Sequence, residues 1–382
     1  MKRSFKGRVS NFSLKALKPL VTLWMKIDTK TTVTKDYNVE FKRDEPFVLL
    51  ANHVYTFDVV QLALPFKKTP VIVASHLLLT TQPLKFLLKY VAKCIPKSKG
   101  EADIRTAKEL IKAIKRKKPV MIMPEGDSTF FGETGHIEYS TAKLIKKLKV
   151  DVIVGLFKGG YLAKPRWAIG KRKNRRVELH YSIAITKDEI KELTVDEIYD
   201  ILCTKLFNND YVWQRDKMIN YGGKDLAEGL SNILYTCPEC EGLNSLETIG
   251  NLIKCTECNT EGYMDDFGFI QGFKLDNIYD WNNYQKEFTD KLKVSTFSTS
   301  GELQYVYLKE QCRRKLGIVN VEYDGGKIYL TGAVEKKINL EDMLFPVITM
   351  RRNFTFEYED TFYFIKLDNY AMSFLRVCQD KY

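Results

Sequence analysis

His53 stands in the segment Asn52-His53-Val54-Tyr55-Thr56-Phe57-Asp58, with an aspartate five residues on. If the chain turns into a helix over that interval, the Asp58 carboxylate can fold back onto the imidazole. It would then fix the ring tautomer and stabilise the imidazolium formed when the other ring nitrogen takes a proton from an alcohol. Alcohols are poor nucleophiles at neutral pH, so acyl transfer to a hydroxyl calls for such a base. None of the other histidines (His76, His136, His180) is followed by an acid at that spacing. By itself the pair is also what a strand-end histidine and an unrelated helix acid would look like.

Four cysteines give the sharpest motif. Cys237-Pro238-Glu239-Cys240 and Cys255-Thr256-Glu257-Cys258 are separated by 14 residues. Two such knuckles can set four thiolates tetrahedrally around zinc. With every ligand supplied by the protein, the site is closed and structural, a staple for a segment too small to bury its own core. Cys94, Cys203, Cys312 and Cys378 have no such spacing, which fits a reducing compartment rather than a disulfide framework. Two further candidates lie between the histidine and the cysteines. Arg105 opens a helix pattern after a lysine-rich stretch and could fork onto a phosphate. Glu125 and Gly126 follow a strand in Pro124-Glu125-Gly126, where the glycine lets the backbone turn close to a ligand and nearby N–H groups could receive an oxyanion. The bland readings are a solvated helix arginine and a plain strand-ending turn.

The elements that must position these residues are legible as short apolar runs. Pro46–Ala51, Pro70–Ala74, Pro119–Met123, Val150–Phe157 and Val177–Ile185 read as buried strands. Helical patterns separate them: Ala102–Lys115, and Thr194–Phe207, which opens with Thr194 three residues before Glu197 as a capping box. Strands alternating with helices predict an α/β fold, a largely parallel sheet flanked by helices, with ligands at the carboxyl ends of the strands. Ahead of it, Leu14, Leu17, Val21, Trp24 and Met25 fall at helical spacing among Lys15, Lys18 and Lys26, with Pro19 inside. That helix either docks on the core or lies in a membrane interface. After the cysteines, hairpin patterns over Gly317–Thr331 and Phe354–Leu367 and a helical tail over Asn369–Cys378 predict a small antiparallel β-rich module. The divisions expected are 1–222, a zinc ribbon at 235–262, and an α+β module at 263–382. The last resembles a pleckstrin-homology module, although its aromatic alternation reads first as core.

Charge is divided unevenly along the 382 residues. Residues 1–222 hold 42 basic and 23 acidic side chains, residues 223–382 hold 18 and 25. The first part therefore calls for an anionic partner: a phospholipid surface, a phosphorylated substrate, an acidic carrier or nucleic acid. The runs Lys115–Lys118 and Lys171–Arg176 read as solvated loops or as contacts with that partner. No apolar run is long enough to span a bilayer, and Met1–Arg8 is basic without an apolar core behind it, so neither a transmembrane helix nor a signal peptide is expected.

Asn-His-x4-Asp, then Gly-x4-Arg ending at Arg105, then Pro-Glu-Gly closing a strand, in this order on successive strand-to-helix junctions, resembles the glycerolipid acyltransferase family, the 1-acyl-sn-glycerol-3-phosphate acyltransferases among them. The likeness covers roughly residues 15–215 and extends to Gly159-Gly160-Tyr161-Leu162 and Pro165-Arg166-Trp167. It implies His53 as base, Asp58 as its orienting partner, and Arg105, Glu125 and Gly126 on the acceptor's phosphate side. It implies a lysophospholipid acceptor, an acyl-coenzyme A or acyl-carrier-protein thioester as donor, and a membrane-docking N-terminal helix. The place implied is the cytoplasm, peripheral on the inner face of the cell membrane, against anionic lipid. The chain departs from the family where its third block usually reads Pro-Glu-Gly-Thr-Arg-Ser: Asp127 and Ser128 replace Thr-Arg, removing a cation and adding an anion. Ile153 also replaces the proline of the fourth block. Arg166 or the Lys171–Arg176 run could stand in for the missing arginine. Two rival readings remain, a zinc-ribbon nucleic-acid-binding protein and a non-catalytic lipid-binding relative. The first sits poorly with the ribbon's own charge, Glu239, Glu241, Glu247, Glu257 and Glu261 against Lys254.

Overall fold

A computed structural model describes residues 11–75, 94–97, 104–307 and 312–378. Met1–Arg8, His76, Gly100 and Ala102 lie outside them, as do the side chains of Leu14 and Leu17. The chain divides into two compact units, one of residues 1–129, 133–163 and 175–216, the other of 130–132, 164–174 and 217–382.

The first unit is built on a seven-stranded sheet. Its strands are β1 (Lys30–Lys35), β2 (Val48–Ala51), β3 (Val71–Ser75), β4 (Ile95–Lys97), β5 (Val120–Ile122), β6 (Val152–Lys158) and β7 (Arg176–Ile185), in the order β1-β7-β6-β2-β5-β3-β4. All neighbours are parallel except β6 and β7. The apolar runs read as strands are strands. β1 and β4 were not anticipated: β1 is Lys-Thr-Thr-Val-Thr-Lys on an exposed edge, so no buried face marks it in the sequence.

The order of the sheet decides where the site forms. β2 is central and buried throughout, between β5 and β6. The chain builds β3, β4 and β5 to one side of it, then β6 and β7 to the other, so β2 and β6 flank a topological switch point. The loops leaving β2, β5 and β6 are the segments after Ala51, Ile122 and Lys158, and they emerge at one end of three adjacent parallel strands. Two helices, α3 (Ile104–Lys115) and α4 (Tyr139–Leu148), run down from that end to the amino ends of β5 and β6. Lys115–Lys118 therefore sit at the pole opposite the loops, where Lys117 lies beside Glu45, Asp151 and Lys187.

One sheet face buries Val48, Leu50, Val120, Val152 and Val154 against Leu110, Ala142, Ile145, Ile198 and Leu202, from α3, α4 and the helix Val195–Leu206. That last helix carries the capping box expected at Thr194 and Glu197. On the other face, α2 (Asp58–Ala63) lies close to β6. A Cβ on Gly155 would meet Leu62 Cδ1 at 2.3 Å and Tyr181 at 3.2 Å, and Tyr181 Oη donates to the Leu62 carbonyl at 2.8 Å. The glycine in mid-strand is there because α2 must approach.

Helix α1 (Asn11–Asp28) forms as expected around Pro19, but its faces are not those its pattern suggested. Met25 is buried and Val21 half-buried, while Trp24 turns outward with Leu20, Leu23 and Ile27. Outward exposures run from 42% at Trp24 to 71% at Ile27. Lys18 reaches back to the Phe66 carbonyl.

In the second unit, a four-stranded ribbon, β8 (Leu246–Ile249), β9 (Leu252–Cys255), β10 (Glu261–Met264) and β11 (Ile270–Gln271), is wholly antiparallel. It leads through a helix, Ile278–Lys286, whose buried Trp281 and Gln285 bond the main chain at Thr236, Ile233 and Tyr235. Seven antiparallel strands follow, β12 (Phe297–Tyr307) through β18 (Thr361–Leu367), with β12 joining the first four to the last three. Both expected hairpins turn through two residues of positive φ, Gly325-Gly326 and Glu359-Asp360, the turn that matches strand twist. A terminal helix, Ala371–Val377, closes the sheet through Phe374 on Phe297 and Phe354.

Gly155→Ala is expected to lower unfolding stability by about 1–3 kcal/mol through overpacking against Leu62. Urea unfolding followed by tryptophan fluorescence measures it.

Candidate active site and candidate metal centre

His53 is the second residue beyond β2. The strand's pairing with β6 is prolonged by Asn52, whose side-chain amide donates to the Phe157 carbonyl at 2.9 Å and accepts from the Phe157 N–H at 2.8 Å. The chain then bends into α2, and the bend brings Asp58 back. His53 Nδ1 lies 2.8 Å from Asp58 Oδ2. The same oxygen accepts the Val54 N–H at 2.7 Å and the Tyr55 N–H at 3.1 Å. Since that oxygen is an acceptor for the main chain, Nδ1 carries the ring proton and Nε2 keeps its lone pair. Asp58 is wholly buried, whereas the His53 side chain keeps 18% of its surface in solvent. Burial works to lower the His53 pKa, but the charges of Asp58, Asp127 and Glu125 outweigh it and raise the pKa above its ordinary value.

Glu125 meets His53 through the main chain. Glu125 Oε1 accepts the His53 N–H and Oε2 accepts the Gly135 N–H, each at 2.6 Å. Burial pushes its carboxyl up to about 7, against the pull of those two donors and of the His53 charge. Gly126 closes a turn onto the Met123 carbonyl at φ 74°, and the space where its Cβ would stand is open to 4 Å. Four main-chain donors around this turn that could have received an oxyanion are in use. Gly126 N–H goes to Met123, Thr129 N–H to the His53 carbonyl, Ser128 N–H to Asp127 Oδ1, and Glu138 N–H to Pro124. Arg105 is exposed in the first turn of α3, at the loop end of the sheet.

Asp210 escaped the sequence reading. It is wholly buried, 157 residues beyond His53. Its carboxylate accepts the N–H groups of Gly159, Tyr161 and Leu162 and the Asn208 amide. It thereby caps the turn after β6, and burial pushes its pKa up to about 6. Gly160, in that turn, lies against Val54: a Cβ there would stand 2.6 Å from Val54 Cγ2. Asp210 thus braces the segment whose amides hold Asp58. No local pattern in the sequence announces it.

Three of the basic residues offered as substitutes for a missing arginine have other partners. Arg166 stacks on Phe130 at 3.9 Å and donates to the carbonyls of Ile348 and Met350. Arg172 is buried against Trp167 and the Leu226 carbonyl, and Arg175 pairs with Asp28. A second histidine–aspartate pair exists that spacing could not show. His180 Nε2 meets Asp36 at 3.1 Å and His180 Nδ1 meets Thr34 Oγ1 at 2.9 Å. Both partners are about half exposed on the sheet edge, so the pair is a surface contact of little energy rather than a site.

The four cysteines converge. Cys237 and Cys258 sulfurs are 3.9 Å apart, Cys240 and Cys255 sulfurs 3.7 Å, and all four lie within 4.8 Å of one another. A tetrahedron with Zn–S bonds of about 2.3 Å has edges of about 3.8 Å, so the donor set fits zinc. The knuckles are copies of each other: Cys237 N–H bonds the Gly242 carbonyl and Cys255 N–H the Thr260 carbonyl, each at 2.9 Å. Each also turns at a left-handed residue after its second cysteine, Glu241 and Asn259.

A family model described as Acyltransferase matches residues 30–154, the span that holds the His53–Asp58 pair and Glu125. Over this segment the chain is similar to the members of that family. Among solved structures, the chain is similar to the 1-acyl-sn-glycerophosphate (LPA) acyltransferase PlsC from Thermotoga maritima. The two are 17% identical, the match covers 54% of this chain and 79% of that one, and the TM-score is 0.40. No curated protein matches.

Removing metal with a strong chelator is expected to unfold the ribbon and lower Tm, with one equivalent of zinc released per chain. Atomic absorption and calorimetry, with Cys255→Ser alongside, check it.

Proposed function

We propose that the acyltransferase domain moves a fatty acyl group from an acyl thioester to a hydroxyl of a lysophospholipid of the lysophosphatidic acid kind, a step of phospholipid biosynthesis. The donor is an acyl-coenzyme A or acyl-carrier-protein conjugate. The observation that carries this reading is the His53 imidazole held at Nδ1 by a buried carboxylate, with Nε2 left as a base. Nε2 takes the proton of the acceptor hydroxyl as its oxygen attacks the thioester carbonyl. The C–S bond of the tetrahedral intermediate then breaks, and the imidazolium returns its proton to the departing sulfur. Atoms and charge balance without a redox partner. Arg105, at the loop end of the sheet, is offered to the acceptor's phosphate.

Membrane contact is part of the same reading. Leu20, Leu23, Trp24 and Ile27 make an exposed stripe at i, i+3, i+4 and i+7 on a helix that also carries lysines. Trp24 stacks edge-on with Phe57 at 5.0 Å, which ties the stripe to the loop bearing His53 and Asp58. We place this face on the inner, anionic surface of the cell membrane. No described helix is long and apolar enough to cross it. The zinc ribbon serves structure, and the C-terminal strands form a pleckstrin-homology-like accessory module. Nucleic acid is not a partner, because the ribbon is acidic.

His53→Ala is expected to lower acyl transfer by about 10²–10⁴-fold, the usual contribution of a positioned general base. Labelled acyl-coenzyme A and acyl-carrier thioesters, offered with lysophosphatidic acid and other lysolipids, measure it. Lipid binding without product from any acceptor would instead favour the non-catalytic relative, the reading that Asp127 and Ser128 suggest. Leu23→Glu with Ile27→Glu is expected to weaken sedimentation with phosphatidylglycerol vesicles at least about tenfold, since each buried side chain contributes about 1.5 kcal/mol or more.

A further inference from the structure

Glu125 has a different part from the one its motif suggests. Both of its oxygens are engaged by main-chain donors, the His53 N–H on Oε1 and the Gly135 N–H on Oε2. Its next neighbours complete the grip, because Thr129 N–H donates to the His53 carbonyl at 2.9 Å. The peptide groups on both sides of His53 are therefore held by one segment, 125–129, and that segment is tied to the chain at 135. Gly135 suits this role: a Cβ there would stand 3.2 Å from Oε2, so a side chain would crowd the carboxylate against its donor. An anionic phosphate, by contrast, would meet Glu125 as one anion meets another.

We infer that Glu125 is a positioning residue for His53, fixing the backbone from which the imidazole projects rather than contacting the acceptor. The inference rests on the acyl-transfer reading for its kinetic consequence, and on the geometry alone for its structural one. Ionised, the carboxylate accepts both N–H groups. Protonated, it turns one oxygen into a donor and loses one of the two ties. The charged groups around it are His53 and Asp58, which pull its titration in opposite directions, with Asp127 acting on His53. Burial brings that titration to about 7. The grip on His53 is thus present above that pH and is lost as pH falls through it, alongside the protonation of His53 itself.

The test is Glu125→Gln, which keeps the volume but presents an NH2 to one of the two donors. In the full zinc-loaded chain, kcat is expected to fall about 10- to 100-fold, the scale of a misplaced catalytic group. The KM for the lysolipid should stay within about threefold of wild type. The acid limb of kcat against pH should become shallower, as one of two ionisations is gone. Without any substrate, hydrogen exchange in fragments spanning 50–56 and 131–138 should quicken. Gly135→Ala disturbs the same tie from its other end, and should reproduce the kcat loss if the glutamine variant fails to fold. A KM raised tenfold or more with kcat preserved would make Glu125 an acceptor contact and overturn the inference. Unchanged kinetics or unchanged exchange in both variants would overturn it too. If wild type acylates no acceptor, the acyl-transfer reading fails, and the exchange result still decides the positioning.

Discussion

The candidate active site depends on one buried carboxylate. Asp58 has no surface in water, and one of its oxygens takes the His53 ring and two main-chain N–H groups. A carboxylate so placed is stable only if those donors stay put. They stay put because β2 ends between two parallel neighbours, Asn52 fastens that end to β6, and Asp210 holds the turn that presses on Val54. Loosening any one of these frees the imidazole to leave its tautomer and its direction.

Charge near the site is arranged around the histidine rather than around an anionic ligand. Three carboxylates, Asp58, Glu125 and Asp127, raise the affinity of His53 for a proton, which suits a base. Arg166, Arg172 and Arg175 are fastened to carbonyls, rings or Asp28. The lysines of 115–118 are at the other pole of the sheet. The overall positive charge of residues 1–222 therefore does not describe the surroundings of His53, a distinction that composition cannot make.

The metal centre follows the opposite logic. Its four cysteines are close in sequence by pairs, each knuckle folds on local hydrogen bonds, and the helix with buried Trp281 and Gln285 bonds the segment leading in. Zinc held by these four sulfurs would add cohesion to a small ribbon.

Much of this was legible in the residues. The His53–Asp58 spacing, the cysteine spacing, the capping box at Thr194, the two hairpins and the five apolar strands are local signals. Local chemistry sets them, since the bend between β2 and α2 returns residue 58 to residue 53, and period-two or buried apolar runs mark strands. What the tertiary structure decided concerns partners far apart in the chain. Asp210 meets Gly159 across 51 residues, Glu125 meets His53 across 72, and Arg166 meets Ile348 across 182. Which face of α1 is wet depended on what packed beneath it, so Val21 and Met25 turned in and Leu20, Leu23, Trp24 and Ile27 turned out. β1 had no apolar signature because its pairing, not its burial, makes it a strand. Sequence by itself determined which groups could react and which segments would fold around them. Only the fold decided which charges were already engaged, because a hydrogen bond or ion pair depends on distance in space and not on separation along the chain.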